Sequence, residues 1–172
     1  MYLSISGRAP YLNWFIEYPA IQARLVWWLA YLWDVDGFLY YFINHYDYRS
    51  GVLPRPIDVH AGPYTDWDPA SFVSGSAKFN GDGLLIYAGE EGPLPSLRLA
   101  NIRDGLEDYE YLKLLERLLV TSGRAGSPGE AKEQVKTYVR QVITSATDYT
   151  DDPALLRRVR DEVAAAIESL LR

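Results

Sequence analysis

Apolar positions recur at helical spacing in four stretches of the chain. From Pro19 to Trp33 they fall at Ile21, Leu25, Trp28, Leu29 and Leu32, which predicts a helix over 19–33. A second helix is predicted from Ser96, a good N-cap, to Ser122-Gly123, with Ile102, Leu106, Tyr109 and Leu112 as its inward stripe. Ser127-Pro128-Gly129-Glu130 reads as a capping box with proline at the first helical position, opening a helix with Val135, Tyr138, Val139 and Val142 on one face. Asp152-Pro153 starts the last helix, with Leu155, Leu156, Val159, Val163, Ile167 and Leu170 inward.

Strand patterns are shorter. "YLSIS" (2–6) alternates, and "FLYYFI" (38–43) is a continuous apolar run between Gly37 and Asn44, as expected of a strand buried on both faces. With the helix between them they predict a parallel βαβ unit. "LLIYAG" (84–89), after the Gly-Asp-Gly turn at 81–83, predicts another short strand. Residues 44–80 read as a long irregular stretch with four prolines, and such loops are usually functional or mobile. The fold class is therefore α/β.

Composition narrows the field. The chain has 172 residues, 48% of them hydrophobic, enough for one sizeable core. A net charge of −6 without a basic block argues against nucleic acid as a partner. Fourteen Tyr and five Trp are compatible with a sugar- or protein-binding surface, and equally with a tyrosine-rich core. There is no cysteine, so disulfides and thiolate metal sites are excluded. The run "LVWWLAYLW" (25–33) is too short to span a bilayer, so no membrane is expected. The N-terminus does not read as a signal peptide.

Common catalytic patterns are missing. His45 and His60 have no second ligand at metal spacing, so neither metal nor cofactor is expected. There is no Gly-x-Ser-x-Gly elbow and no phosphate loop, and "DWDP" (66–69) lacks the rest of a calcium loop.

Three stretches carry a resemblance: residues 18–46, residues 80–89, and "GPLPSLRLANIRDGLEDYEYLKLL" (92–115). Together they resemble the C-terminal part of the glycoside hydrolase family 123 catalytic domain and the related domain-of-unknown-function 4091 proteins. Arg24, Gly37 to Tyr40, Asn44, Gly81 to Gly83, Tyr87, Gly89, Pro95, Ser96, Arg98, Arg103 to Gly105 and Asp108 to Glu110 match the family pattern. Tyr41 stands where the family usually has Trp, and Ala88 where it usually has Pro.

The resemblance implies a (β/α)₈ barrel, related to β-N-acetylgalactosaminidases, of which this chain is the last βαβ unit and the final barrel helix. Residues 1–122 would be that barrel segment, and 123–172 a C-terminal helical hairpin packed on it. The family's catalytic pair, an adjacent Asp-Glu, would lie upstream. The only Asp-Glu here, Asp161-Glu162, sits in the last amphipathic helix and is read as a solvated face. No catalytic residue is assigned, and the chain alone is expected to be inactive.

Barrel strands present functional groups at their C-terminal ends. For 38–43 these are Asn44, His45, Tyr46 and Asp47, with Tyr41 as an aromatic that either stacks on a sugar or packs. Asn44 is the best candidate for a sugar hydroxyl or acetamido contact. Asp34 and Asp36, at the opposite rim, are read as turn residues. Arg98 is read chiefly as a clamp on the loop carrying Asp82, with ligand contact the lesser reading. Arg103 and Glu107 are placed to pair along the helix, and Gly105 allows a neighbouring backbone to approach.

The expected partner is a carbohydrate, such as a glycan containing N-acetylhexosamine. A companion chain or self-association would complete the barrel. A non-catalytic carbohydrate-binding module and a structural fragment of a truncated or split gene remain alternatives. Family members are often exported, which leaves the compartment open.

Overall fold

The computed structural model describes residues 1–4, 6–44, 70–74, 77–89 and 91–172. Strand β1 (Tyr2–Leu3) and β2 (Leu39–Tyr40) lie parallel, with Tyr2 opposite Leu39 and Leu3 opposite Tyr40. Helix α1 (Ile21–Leu32) connects them, so the βαβ unit expected from the hydrophobic pattern is present. The α-amino group of Met1 donates to Gly37 O (2.6 Å), extending the pairing by one residue.

The strand reading of 38–43 needs correction. Only Leu39 and Tyr40 join a ladder, and Leu39, Phe42 and Ile43 are 59%, 49% and 46% exposed. The run is covered on one face, where Trp14 packs against Phe38 and Tyr40. A continuous apolar run records burial on two faces only if a second layer is there, and the described residues cover a single face.

Three further pairs of strands are antiparallel: β3 (Ala70–Ser74) with β4 (Ala77–Asn80), β5 (Ile86–Gly89) with β6 (Gly92–Pro95), and β7 (Ile143–Ser145) with β8 (Asp148–Tyr149). The irregular reading of 44–80 thus overlooked the hairpin β3–β4. Pro93 and Pro95, just before Ser96, lie in β6, an edge position where a missing N–H is tolerated.

The helices follow their caps. Past the end of α1, Asp34 has a left-handed φ of 54°; Asp34 N donates to Tyr31 O (3.2 Å) and Val35 N to Ala30 O (3.0 Å), the Schellman arrangement. α2 (Leu97–Thr121) starts at Ser96, whose hydroxyl accepts from Leu99 N, and stops before Gly123, at φ 70°. α3 (Pro128–Val139) and α4 (Pro153–Leu170) carry side-chain caps from Ser127 and Asp152. Glu130, the other half of the expected capping box, accepts from Gly126 N instead of Ser127 N.

α2 is the central element, with α1, α3 and α4 packed on it. One apolar cluster runs from Leu3 and Trp14 through Leu25, Trp28 and Leu112 to Val135, Val159 and Ile167. The expected inward stripe of α2 is only partly right: Ile102 and Leu112 are buried, but Leu106 is 42% exposed and the facing positions are Gly105 and Asp108. Among the described residues no helix is long and apolar enough to cross a membrane.

Candidate functional site

The C-terminal side of β2 meets the turn at 81–84. Ile43 O accepts from Leu85 N (2.7 Å) and Ile86 N (2.9 Å), and Asn44 forms an antiparallel bridge with Leu84. The turn itself depends on two left-handed glycines, Gly81 (φ 71°) and Gly83 (φ 72°), with Leu84 N donating to Gly81 O. At Gly81 a Cβ would lie 2.5 Å from Ile16 Cγ1 and 2.7 Å from Arg98 Nη2, so a side chain there is excluded by space as well as by φ.

Asp82 sits between these glycines and is fully buried. The Tyr40 hydroxyl donates to Asp82 Oδ1 (3.3 Å) and accepts from Gly83 N (2.7 Å). Burial raises the Tyr40 hydroxyl well above its ordinary pKa, and the Asp82 charge raises it further. Tyr41 behaves likewise, with burial the larger cause and Asp82 the next. Its ring lies edge-on to those of Tyr40 and Phe42. Both phenols are therefore neutral donors at any physiological pH, gathered around one buried carboxyl group.

Arg98 enters from the first turn of α2 and is almost completely buried. Its guanidinium donates to Trp14 O (2.5 Å), Gly81 O (2.7 Å) and Leu84 O, and to the Tyr87 hydroxyl (3.3 Å). These acceptors bracket the turn that carries Asp82. The fork-shaped donor set suits convergent carbonyls, which a lysine's single nitrogen would not match.

Of the sequence candidates, the structure brings Tyr41 and Asn44 to the same strand end and Arg98 beneath the adjoining turn. Asn44 is exposed there. His45, Tyr46 and Asp47 lie outside the described residues, as do His60 and the Asp66–Asp68 motif. Tyr40, Asp82 and Tyr87 were not singled out as site residues. The available signal was the Gly-Asp-Gly triplet, an acid between two residues that relieve backbone strain.

A second polar cluster explains the charge of α2. Asp108, fully buried, accepts from Arg24 Nε (2.5 Å) and Nη2 (2.8 Å), Trp28 Nε1 (2.9 Å) and Arg160 Nε (2.8 Å). Both carboxylate oxygens are thus doubly engaged, and three helices are tied at one point. The hydrogen bond to Asp108, ahead of the opposing burial, raises Arg24 above its ordinary pKa. Beside it, a Cβ on Gly105 would lie 2.7 Å from Arg24 O and 2.4 Å from Trp27 Cδ1, so α1 and α2 touch backbone to backbone. Arg103, by contrast, is exposed, with Asp104 at 2.6 Å and Glu107 at 3.8 Å.

Among the described residues no group of His, Cys, Asp or Glu is arranged to hold a metal ion. What the 40–44 and 81–87 segments offer instead is a set of hydrogen-bonding and aromatic groups on one sheet end.

Residues 1–115, well over half of the chain, match the family described as glycoside hydrolase 123, catalytic domain. The chain belongs to that family. The match takes in Arg24, Asp82, Arg98 and Asp108, whereas α3 and α4, with Arg160, lie beyond it. The family implies a carbohydrate substrate. No curated protein matches the chain.

Proposed function

We propose that this glycoside hydrolase 123 chain is the C-terminal portion of a β-N-acetylgalactosaminidase-related catalytic barrel. In that reading residues 1–122 are the last βαβ unit and final barrel helix, and residues 123–172 a helical hairpin packed on them. The chain supplies sugar-pocket wall, and the Asp-Glu pair that supplies the acid and orients the substrate comes from a companion chain that completes the barrel; self-association would complete the barrel without adding that pair.

The observation that carries the reading is the parallel β1–α1–β2 unit inside the family-matched segment, with Asn44, Tyr41 and the Asp82 turn gathered past the end of β2. A barrel places its functional residues at that end. Asn44 contacts a sugar hydroxyl or acetamido group and Tyr41 offers an aromatic edge; His45 and Tyr46, the next two residues of the sequence, are the remaining substrate-binding candidates. Arg98 holds the wall in place: its donors are spent on backbone carbonyls, which favours positioning over ligand contact. Asp161 and Glu162 lie on exposed faces of α4 and take no part.

A chromogenic N-acetyl-β-galactosaminide assay tests the inactive state, with no turnover expected from this chain alone. Binding of N-acetylgalactosamine should weaken on Asn44→Ala and on Tyr41→Ala. Robust turnover that survives both substitutions would place the chemistry elsewhere and end this reading.

A further inference from the structure

A groove of about 540 Å³ opens between α2, α3 and α4, and all of its lining residues except Leu115 lie beyond the family match. That volume falls in the range of small-molecule pockets, roughly 300–1,000 Å³. Its apolar side is formed by Leu115, Leu119 and Leu170, and its polar side includes Arg124, Gln134 and Tyr138. Among the described residues, Arg124 is the only charged side chain lining it, in a chain of net charge −6.

Among the described residues, neither the Arg124 guanidinium nor the Tyr138 hydroxyl has a hydrogen-bond or ion-pair partner. Arg124 is nevertheless held on a fixed loop. Gly123, at φ 70°, turns the chain, Gly123 N donates to Val120 O (3.1 Å), and Ala125 N donates to Leu119 O (3.0 Å). Ala125 is buried, and the next residue, Gly126, donates to Glu130 Oε2 (2.8 Å). Glu130, the nearest acid along the chain, is thus engaged by Gly126 N and by the Gln134 amide (3.3 Å) and does not neutralise the arginine.

A single cation, a hydroxyl donor and three leucines around one concavity define the occupant by charge complementarity. We propose that this groove binds a small amphipathic monocarboxylate: an apolar body laid against Leu115, Leu119 and Leu170, with its carboxylate on Arg124 and Tyr138. A neutral ligand would gain nothing from the guanidinium, and a sugar would set hydroxyls against leucine side chains. The inference is independent of the carbohydrate reading of the β2 end, and the two sites share no residue.

Calorimetric titration of the full chain with decanoate tests it, with decanol as the uncharged probe. One saturable decanoate site is expected, weakened about tenfold by Arg124→Gln and partly restored by Arg124→Lys, with affinity falling as salt rises. Tyr138→Phe should weaken it by a smaller factor, and decanol should bind Arg124→Gln and the parent chain alike. Arg124 is exposed, so its variants should keep the parent's circular dichroism and melting temperature. Non-saturable uptake, or equal decanoate binding by Arg124→Gln, overturns the proposal. Displacement of decanoate by N-acetylgalactosamine overturns it as well. Self-association that Arg124→Gln abolishes would assign the groove to a second copy and overturn it too. None of these outcomes bears on the Asn44 and Tyr41 variants, so the two readings fail separately.

Discussion

Asp108 shows how one buried charge can be tolerated. A carboxylate taken out of water loses several kcal/mol of hydration, and that loss is offset only by full hydrogen bonding. Here Arg24, Trp28 and Arg160 engage both oxygens. Asp108→Ala leaves two arginines facing a cavity and should destabilise the chain by about 3–5 kcal/mol, measured by urea denaturation. Asp108→Asn keeps the shape but cannot accept from all four donors, and should fall between. Gly105 gives a test of opposite sign to ordinary helix propensity. Gly→Ala inside an exposed helix gains about 1 kcal/mol. At Gly105 the new methyl would meet Arg24 O and Trp27, and separating α1 from α2 should cost about 1–3 kcal/mol net. A stabilised Gly105→Ala variant would show that the helices can part freely.

At the scale of elements, the helices are joined by ion pairs as well as by packing. Asp34, the left-handed residue past the end of α1, accepts Lys132 Nζ (2.8 Å) and Lys136 Nζ (2.9 Å) from α3. The hydrogen bond from Lys132 is the largest cause holding the Asp34 carboxyl below its ordinary pKa; burial opposes it, and the hydrogen bond from Lys136 adds to the lowering. A depressed carboxyl stabilises the fold above its unfolded pKa, and the contribution is lost as pH falls through the folded value. Asp34→Asn should therefore cost stability at neutral pH and nothing at strongly acid pH, flattening the acid limb of the stability profile. Asp34 is 48% exposed on its side chain, so screening limits the neutral-pH loss to about 0.5–1 kcal/mol. Capping at α2 is separable from this: Ser96→Ala removes the acceptor for Leu99 N and should cost about 1 kcal/mol at any pH.

For the whole molecule, the contrast lies between α2 and the β1–β2 pair. α2 is surrounded by three helices, while β1 and β2 pair only with each other among the described residues, and Tyr2, Leu39, Phe42 and Ile43 remain exposed. Parallel strands are ordinarily covered on both faces, and an open edge invites pairing. We expect the isolated chain to self-associate or to take up a partner over residues 1–46, seen by light scattering. Amide exchange should be slow along α2 and faster at 2–3 and 39–40. A monodisperse monomer with all three segments equally protected would mean that the chain closes its own core.

Local chemistry was sufficient for the helices. Ser96, Gly123, Ser127-Pro128 and Asp152-Pro153 mark their ends because capping depends on a few adjacent residues, and the 3.6-residue stripe marks their inner faces. The parallel βαβ unit was legible for the same reason, and the resemblance carried by Arg24, Gly81 to Gly83 and Arg98 pointed to the family. Pairings across the chain were not legible. That Asp108 faces Arg160, that Asp34 serves α3, and that Arg98, read as a clamp on the Asp82 loop, also reaches Trp14 O depend on which surfaces meet in space. The apolar run 38–43 is the clearest limit. Its residues specify a tendency to be buried, and only the arrangement of neighbouring layers decides which faces are covered.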